Sequence, residues 1–153
     1  MIVYRLSKKQ YCNDISGRGA EISGGRWNEK GTPALYTASS RALAALEVAV
    51  HIPFGILPIE YYMVEIELPD HSDMLRIKIA DLPANWNRNP ITTTTQHLGT
   101  EFLRTNKYLI IQVPSASVLG DYNYVINPGH ADFKSVKVIL TEPFEFDSRL
   151  FKK

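Results

Sequence analysis

The chain has 153 residues, of which 44% are hydrophobic and 22% are charged, and its formal net charge is +1. This length supports one hydrophobic core of ordinary size and leaves little room for a second domain. The composition excludes a disordered or fibrous protein, and the balanced charge argues against an extended nucleic-acid-binding face. We therefore expect a single domain over residues 1–153 that has no direct nucleic-acid partner.

The cysteine content and the N-terminal sequence bear on where the protein acts. Cys12 is the single cysteine, which rules out a disulfide within the chain and fits a reducing compartment. The first residues lack the basic start and the long apolar run of a signal peptide. No stretch is apolar over the ~20 residues that a membrane-spanning helix needs. We expect a cytoplasmic protein without a membrane partner.

Apolar runs and their breaks predict the elements of the first half of the chain. A strand is predicted over residues 2–7, and the polar, glycine-containing residues 8–23 predict a loop with a short helical turn near 8–14. Further strands are predicted over residues 34–38 and 60–68. Apolar side chains recur at every second position of the last strand, so one face of it should be buried.

A helix is predicted over residues 40–52. Ser40 or the serine before it can cap the N-terminus, and Pro53 cannot continue the helix. From Ala42 to Ile52, only Glu47 and His51 are not apolar, so we expect the helix to pack on several sides.

Glu47 is the residue of this helix that requires an explanation. A glutamate is rarely buried without a partner. One interpretation is a structural ion pair with His51 or with an arginine. The other is a carboxylate that lines a pocket, whose opposite wall is the glycine-rich turn over residues 24–31.

The second half of the chain is predicted to be mixed. Its predicted elements are a strand over 74–77, a turn at 79–82, an irregular segment over 83–90, a helix from the threonines at 92–95 to 106, a strand over 108–113, a connection over 114–127 and a strand over 135–145. The connection lacks clear periodicity, and long structureless loops in compact domains are often functional. Pro143 should limit pairing near the end of the last strand.

About six strands and two helices result, in mixed rather than alternating order. This order favours an α+β (mixed α/β) fold over a doubly wound one.

Several common sites lack support in the sequence. No Gly-x-Gly-x-x-Gly follows a strand, and the glycines before Arg26 lack the Lys-Ser/Thr ending of a P-loop. Ser115 is not in a Gly-x-Ser-x-Gly motif, and Cys12 has no identifiable basic partner. The four histidines, at positions 51, 71, 97 and 130, have no metal-ligand spacing and are interpreted as surface or packing residues. We expect neither a metal nor a cofactor.

Five residues are unusual for the elements that carry them: Arg5, Arg26, Tyr36, Glu47 and Ser115. Two arginines can bind phosphates through their planar forks, a tyrosine can stack on a ring, and a carboxylate can accept hydrogen bonds from ribose hydroxyls. This set suits a doubly phosphorylated ligand that contains a ring and ribose.

Four motifs together resemble the RES-domain family. They are Gly-Gly-Arg-Trp-Asn-x-x-Gly-x-Pro-x-x-Tyr from residue 24, Ala-Leu-x-x-Leu-Glu from residue 42, Val-Pro-Ser-Ala from residue 113, and Asn-Tyr-x-x-Asn-Pro-x-His from residue 123. They occur in the family's order over nearly the full chain.

The resemblance implies an ADP-ribosyltransferase-like fold with a largely antiparallel sheet and few helices. It also implies an intracellular toxin that consumes NAD+ as its substrate and is neutralised by an Xre-type antitoxin. Within the toxin–antitoxin complex, the toxin can form a homodimer. By motif, Glu47, Arg26, Tyr36 and Ser115 are the catalytic candidates. Arg5 and Asn127 join Arg26 and Tyr36 as NAD+-binding candidates.

The resemblance assigns these residues distinct roles. Glu47 would oppose the positive charge that develops on ribose when nicotinamide leaves, as carboxylates do in glycosidases. Arg5 and Arg26 would hold the pyrophosphate, with Tyr36 against the nicotinamide or its ribose. Ser115 would orient Glu47 or the nicotinamide amide.

Members of the family divide between those that degrade NAD+ and those that transfer ADP-ribose to a protein, and the sequence leaves both readings open. Two further classes remain: a non-catalytic nucleotide-binding module, and an RNase toxin that uses Arg26 and the histidines. The near-neutral charge and the scattered histidines count against the RNase.

Overall fold

The computed structural model describes residues 1–70 and 73–152. Its strands are β1 (Ile2–Lys8), β2 (Leu35–Ala38), β3 (Tyr61–Glu67), β4 (Met74–Arg76), β5 (Ile110–Pro114), β6 (Tyr122–Ile126) and β7 (Lys137–Phe144). Its α-helices are α1 (Arg18–Ser23), α2 (Arg41–Ala49) and α3 (Thr93–Arg104). Short 3-10 helices cover Lys9–Tyr11, Ile79–Asp81, Ala131–Ser135 and Ser148–Leu150. The role predicted for His71 lies outside the described residues.

The strands form one seven-stranded sheet in the order β4-β5-β6-β2-β1-β3-β7. Only β4 and β5 pair in parallel among the described strands, and the other neighbours are antiparallel. The predicted α+β fold with a mixed, largely antiparallel sheet is therefore confirmed. No helix among the described residues is both long and apolar enough to cross a membrane.

The strand β3 shows how the sheet is covered. Val64, Ile66 and Leu68 are buried in one core cluster, as the alternation predicts. Met63 points to the opposite face and is buried in a second cluster with Leu43 of α2. The sheet is thus buried on both faces where α2 crosses it.

Helix α2 begins as predicted, with the Ser40 Oγ accepting a hydrogen bond from the Leu43 N–H at 3.1 Å. The prediction that it packs on several sides is wrong. Leu43 and Ala44 are buried, whereas Leu46 is 37% exposed and Val50 is 55% exposed. The helix packs against β1 and β2 on one side and presents apolar side chains to solvent on the other.

Sequence analysis missed one α-helix and one strand of the described residues. The helix α1 lies inside the predicted loop, and the strand β6 lies inside the predicted connection over 114–127. The strand pairs with β2 on one side and with β5 on the other. The connection is therefore a hairpin whose turn spans only residues 115–121. Sequence analysis missed the strand because Tyr122–Ile126 is too short a run to show a clear period.

The expectation that Pro143 limits pairing is also wrong. Pro143 pairs with Tyr62, and the ladder continues to the pair of Phe144 and Tyr61. Since β7 is an edge strand, a residue without an N–H can be accommodated there without loss of a ladder hydrogen bond.

The predicted helix near residues 92–106 and the irregular segment over 83–90 are both present. Leu103 of α3 is buried, and Leu98 and Phe102 pack against the same cluster. Trp86 anchors the irregular segment in this cluster beside Trp27, with 6.3 Å between the ring centroids.

Candidate functional site

A cavity of about 660 Å³ opens between the glycine-rich turn, α2 and the β5–β6 hairpin. This volume lies within the range of small-molecule binding sites. Four of the candidates line it, namely Arg5, Arg26, Tyr36 and Glu47. The turn over residues 24–31 forms part of the wall, and another part is formed by Asn87 and Asn89 of the irregular segment and by Ile91, which follows it.

Glu47 is held in this cavity by uncharged donors. Its Oε1 accepts hydrogen bonds from the Ser115 Oγ at 2.7 Å and from the Asn123 Nδ2 at 2.6 Å. Its Oε2 accepts a hydrogen bond from the Ser117 Oγ at 3.0 Å. No ion pair involving Glu47 occurs among the residues that the structure describes. The pocket interpretation of Glu47 therefore fits the structure, and the ion-pair interpretation does not.

Ser115 lies behind the cavity wall and is 1% exposed. Its hydroxyl donates to Glu47 and accepts from the backbone N–H groups of Ser117 at 3.1 Å and Val118 at 3.0 Å. One side chain thus shapes the hairpin turn and orients the carboxylate. Of the two roles considered for Ser115, this geometry supports the orientation of Glu47.

Arg26 joins the glycine-rich turn to the irregular segment. Its Nη1 donates to the backbone oxygens of Trp86 at 2.8 Å and Arg88 at 3.1 Å. Burial lowers the pKa of Arg26, and the negative charge of Glu47 offsets part of that effect. The guanidinium remains charged at neutral pH even so, because arginine is not deprotonated in proteins. Arg26 therefore supplies positive charge to the cavity and fixes one part of its rim.

Arg5 supplies a second cation from β1. Its Nη1 donates to the Asp14 backbone oxygen at 2.5 Å, so the residues before α1 hold the guanidinium in place. Burial lowers the pKa of Arg5, and the nearby carboxylate of Asp14 acts in the opposite direction. The two arginines place positive charge on the same cavity that contains the Glu47 carboxylate.

Tyr36 uses its hydroxyl to hold the glycine-rich turn. The hydroxyl donates to the Asn28 Oδ1 at 2.7 Å and accepts from the Trp27 N–H at 2.9 Å. Burial raises the pKa of Tyr36, so its phenol stays neutral at any physiological pH. A Cβ on Gly25 would lie 2.6 Å from the Tyr36 hydroxyl oxygen, which explains a glycine here. The ring therefore remains available to the cavity while the hydroxyl is occupied.

The structure does not bring Asn127 to the cavity. Its Nδ2 donates to the Leu103 backbone oxygen at 2.8 Å and to the Asn106 Oδ1 at 3.1 Å. Its Oδ1 accepts from the Gly129 N–H at 3.0 Å. The side chain is 2% exposed and connects the end of β6 to the end of α3.

Sequence reasoning missed three side chains that organise the site: Asn28, Ser117 and Asn123. Asn28 lies in the motif that indicates the turn, but the hydrogen bonds of its buried side-chain amide appear only in the structure. Ser117 and Asn123 belong to the segment interpreted as a connection. Recognition of Tyr122–Ile126 as a strand would have marked Asn123 as a polar residue in an apolar setting.

A family model described as RES domain matches residues 2–147 of the chain. The chain belongs to the RES domain family. The resemblance inferred from the four motifs is therefore confirmed. The match covers every strand of the sheet and all of the candidate site residues.

Relatives with known names match nearly the whole RES domain. The "Prs ADP-ribosylating toxin" of Sphingobium sp. (strain YBL2) is 39% identical over 145 residues, which covers 93% of this chain and 89% of the relative. "Toxin Res" of Yersinia enterocolitica is 39% identical over 152 residues, with coverage of 98% and 99%. "Toxin Res" of Pseudomonas putida is 39% identical over 156 residues, with coverage of 99% and 100%. The chain is a RES-domain toxin.

The fold is similar to a chain in the crystal structure of the M. tuberculosis MbcT-MbcA toxin-antitoxin complex. The TM-score is 0.73 at 19% sequence identity, and the match covers 94% of this chain and 84% of the other. At this identity the likeness concerns the fold alone, and it supports the α+β architecture.

Proposed function

We propose that this RES-domain toxin cleaves NAD+ at the bond between nicotinamide and ribose. The observation that carries the proposal is the Glu47 carboxylate, fixed by three uncharged donors in a cavity that Arg5 and Arg26 also line. Cleavage of that bond builds positive charge on the ribose. A carboxylate fixed beforehand stabilises such charge without reorganising during the reaction.

Different residues bind different parts of the substrate. Arg5 and Arg26 bind the pyrophosphate, and the ring of Tyr36 packs against the nicotinamide or its ribose. The bonding electrons leave with nicotinamide, and an acceptor oxygen then forms the new bond to the ribose carbon and loses its proton to solvent. If the acceptor is water or inorganic phosphate, the reaction degrades NAD+.

A protein side chain is the alternative acceptor. The relative named "Prs ADP-ribosylating toxin" is the observation that favours it. Nicotinamide release from purified toxin and NAD+ alone, with or without phosphate, supports degradation. Release that requires an added protein, together with ADP-ribose on that protein, supports transfer.

The cell that produces such an enzyme needs an inhibitor. Two relatives described above are named "Toxin Res", and the structural neighbour was crystallised in a toxin-antitoxin complex. We therefore propose that a cognate Xre-type antitoxin binds this chain and that the active form is cytoplasmic.

The test of the proposal is a comparison of wild type with Glu47→Gln. Loss of one preorganised electrostatic contact typically lowers kcat by about 10²- to 10³-fold, and we expect a loss of that size in nicotinamide release. Glu101→Gln makes the same chemical change on an exposed face of α3 and should leave turnover unchanged. Circular dichroism and the Tm establish that both variants are folded.

Three outcomes would contradict the proposal, either in the role of Glu47 or in the reaction itself. Unchanged turnover in folded Glu47→Gln would remove Glu47 from the reaction. Consumption of RNA with no consumption of NAD+ would favour the RNase alternative, and tight NAD+ binding without turnover would favour a non-catalytic module.

A further inference from the structure

Asn123 contacts Glu47 from β6, and we infer that it is a positioning residue which acts through Glu47. The inference rests on the proposed function, because Glu47 is the group that it positions. Ser117 makes the equivalent contact from the hairpin turn. Neither residue was among the candidates that the sequence suggested.

The hydrogen bonds on Glu47 define one orientation of its carboxylate. Oε1 accepts from Asn123 at 2.6 Å and from Ser115 at 2.7 Å, whereas Oε2 accepts from Ser117 at 3.0 Å. An ionised carboxylate only accepts hydrogen bonds, so three donors suit this form. Because the donors come from two segments of the hairpin, rotation of the carboxylate would break at least one bond.

The amide of Asn123 is oriented for Glu47 rather than for its own hydrogen bonding. Its Oδ1 is buried and has no partner among the described residues. A buried amide oxygen without a partner is unfavourable. Rotation of the amide by half a turn would place Oδ1 against the Glu47 carboxylate, where two acceptors would face each other. The observed orientation therefore retains an unsatisfied oxygen in order to direct Nδ2 at Glu47.

The backbone of Asn123 is fixed on both sides. It pairs with Ala38 of β2 and with Val113 of β5, so the side chain projects from the interior of the sheet. A donor on such a support holds its partner more rigidly than a donor on a loop. Small displacements of a catalytic group can cost up to about 10²-fold in rate.

Three variants test the inference through the release of nicotinamide from NAD+. Asn123→Ala removes the donor, and Asn123→Asp replaces it with a carboxylate of the same shape that repels Glu47. We expect kcat to fall by up to about 10²-fold in Asn123→Ala and further in Asn123→Asp, with a small change in KM. Ser117→Ala should lower kcat less, because Oε1 keeps both of its donors.

Asn106→Asp is the matched control. It makes the same amide-to-acid change outside the cavity and keeps the oxygen that accepts from Asn127. We expect its kcat, KM and Tm to be those of wild type. If Asn123→Ala does not fold, the isosteric Asn123→Asp carries the test.

A double-variant cycle separates positioning from a general structural role. If Asn123 acts through Glu47, then Asn123→Ala lowers kcat in the wild-type background and has little further effect in the Glu47→Gln background. The same fold-loss in both backgrounds would overturn the inference. Unchanged kcat in a folded Asn123→Asp variant would overturn it as well.

The same measurements distinguish failure of this inference from failure of the proposed function. Wild-type protein that releases no nicotinamide would overturn both the proposed function and this inference. Wild-type turnover that depends on Glu47 but is indifferent to Asn123 would overturn the inference alone.

Discussion

At the scale of single residues, the site depends on polar side chains that satisfy one another. Tyr36 is the best example, because its hydroxyl pairs with the Trp27 N–H and with Asn28 while its ring lines the cavity. One residue therefore holds the glycine-rich turn and presents a surface to the ligand.

The contribution of that hydroxyl can be measured directly. Tyr36→Phe leaves a backbone N–H and an amide oxygen without their partner, which typically costs about 1–3 kcal/mol. We expect a correspondingly lower Tm and free energy of unfolding in urea. Tyr11→Phe, on a 53% exposed tyrosine, is the control and should change neither. A wild-type Tm in Tyr36→Phe would contradict a role of these bonds in stability.

At the scale of elements, the glycine-rich turn is docked onto α3. The Gln96 Nε2 donates to the Gly25 backbone oxygen at 3.0 Å, and the Glu29 N–H donates to the Thr100 Oγ1 at 2.8 Å. Between these contacts, a Cβ on Gly99 would lie 2.0 Å from the Trp27 backbone oxygen. The helix must therefore carry a glycine where the turn approaches it.

Gly99→Ala tests this docking, because local and tertiary effects have opposite signs. Helix propensity alone predicts stabilisation by about 1 kcal/mol. The contact with a backbone oxygen cannot be relieved by a rotamer change, so we expect net destabilisation of about 1–3 kcal/mol and weaker NAD+ binding. Urea unfolding and equilibrium binding measure the two effects.

Gly19→Ala provides the comparison in α1. A Cβ there would meet nothing within 4 Å. The higher helix propensity of alanine should therefore dominate, and the free energy of unfolding should rise slightly. Stabilisation of both variants would show that α3 does not hold the turn in the way described.

At the scale of the whole molecule, the net charge is +1, while the cavity is lined by three arginines, Arg5, Arg18 and Arg26, and by two carboxylates, Asp14 and Glu47. A partner that covers the cavity mouth would meet this local positive charge. The physically simplest inhibition is occlusion, in which a segment of the antitoxin, such as an acidic chain end, contacts the arginines in place of the pyrophosphate.

Occlusion predicts competition between the antitoxin and NAD+. The apparent Kd for NAD+ should rise with antitoxin concentration, and Arg26→Ala should weaken the binding of both. The slow variant Glu47→Gln allows NAD+ binding to be measured at equilibrium by calorimetry. A ternary complex in which both partners keep their full affinities would contradict occlusion and indicate an allosteric block.

The sequence by itself determined the features that depend on neighbouring residues. The serine cap and the apolar run defined the start of α2, alternation defined the buried face of β3, and the glycine motif marked the turn that lines the cavity. The order of the motifs also identified the family. These signals are local, because capping, side-chain alternation and glycine conformations act over a few positions.

Only the tertiary structure decided which residues meet. The three donors on Glu47 lie 68, 70 and 76 positions away along the chain, so no local pattern reveals them. Asn127 belongs to a family motif, yet its hydrogen bonds place it at the end of α3 rather than in the cavity. The strand β6 is short and is stabilised by pairing on both sides, which a sequence pattern does not record. Hydrogen-bond partners depend on how the sheet brings distant segments together, and for this reason the site was predictable in its main charges and not in the contacts that orient them.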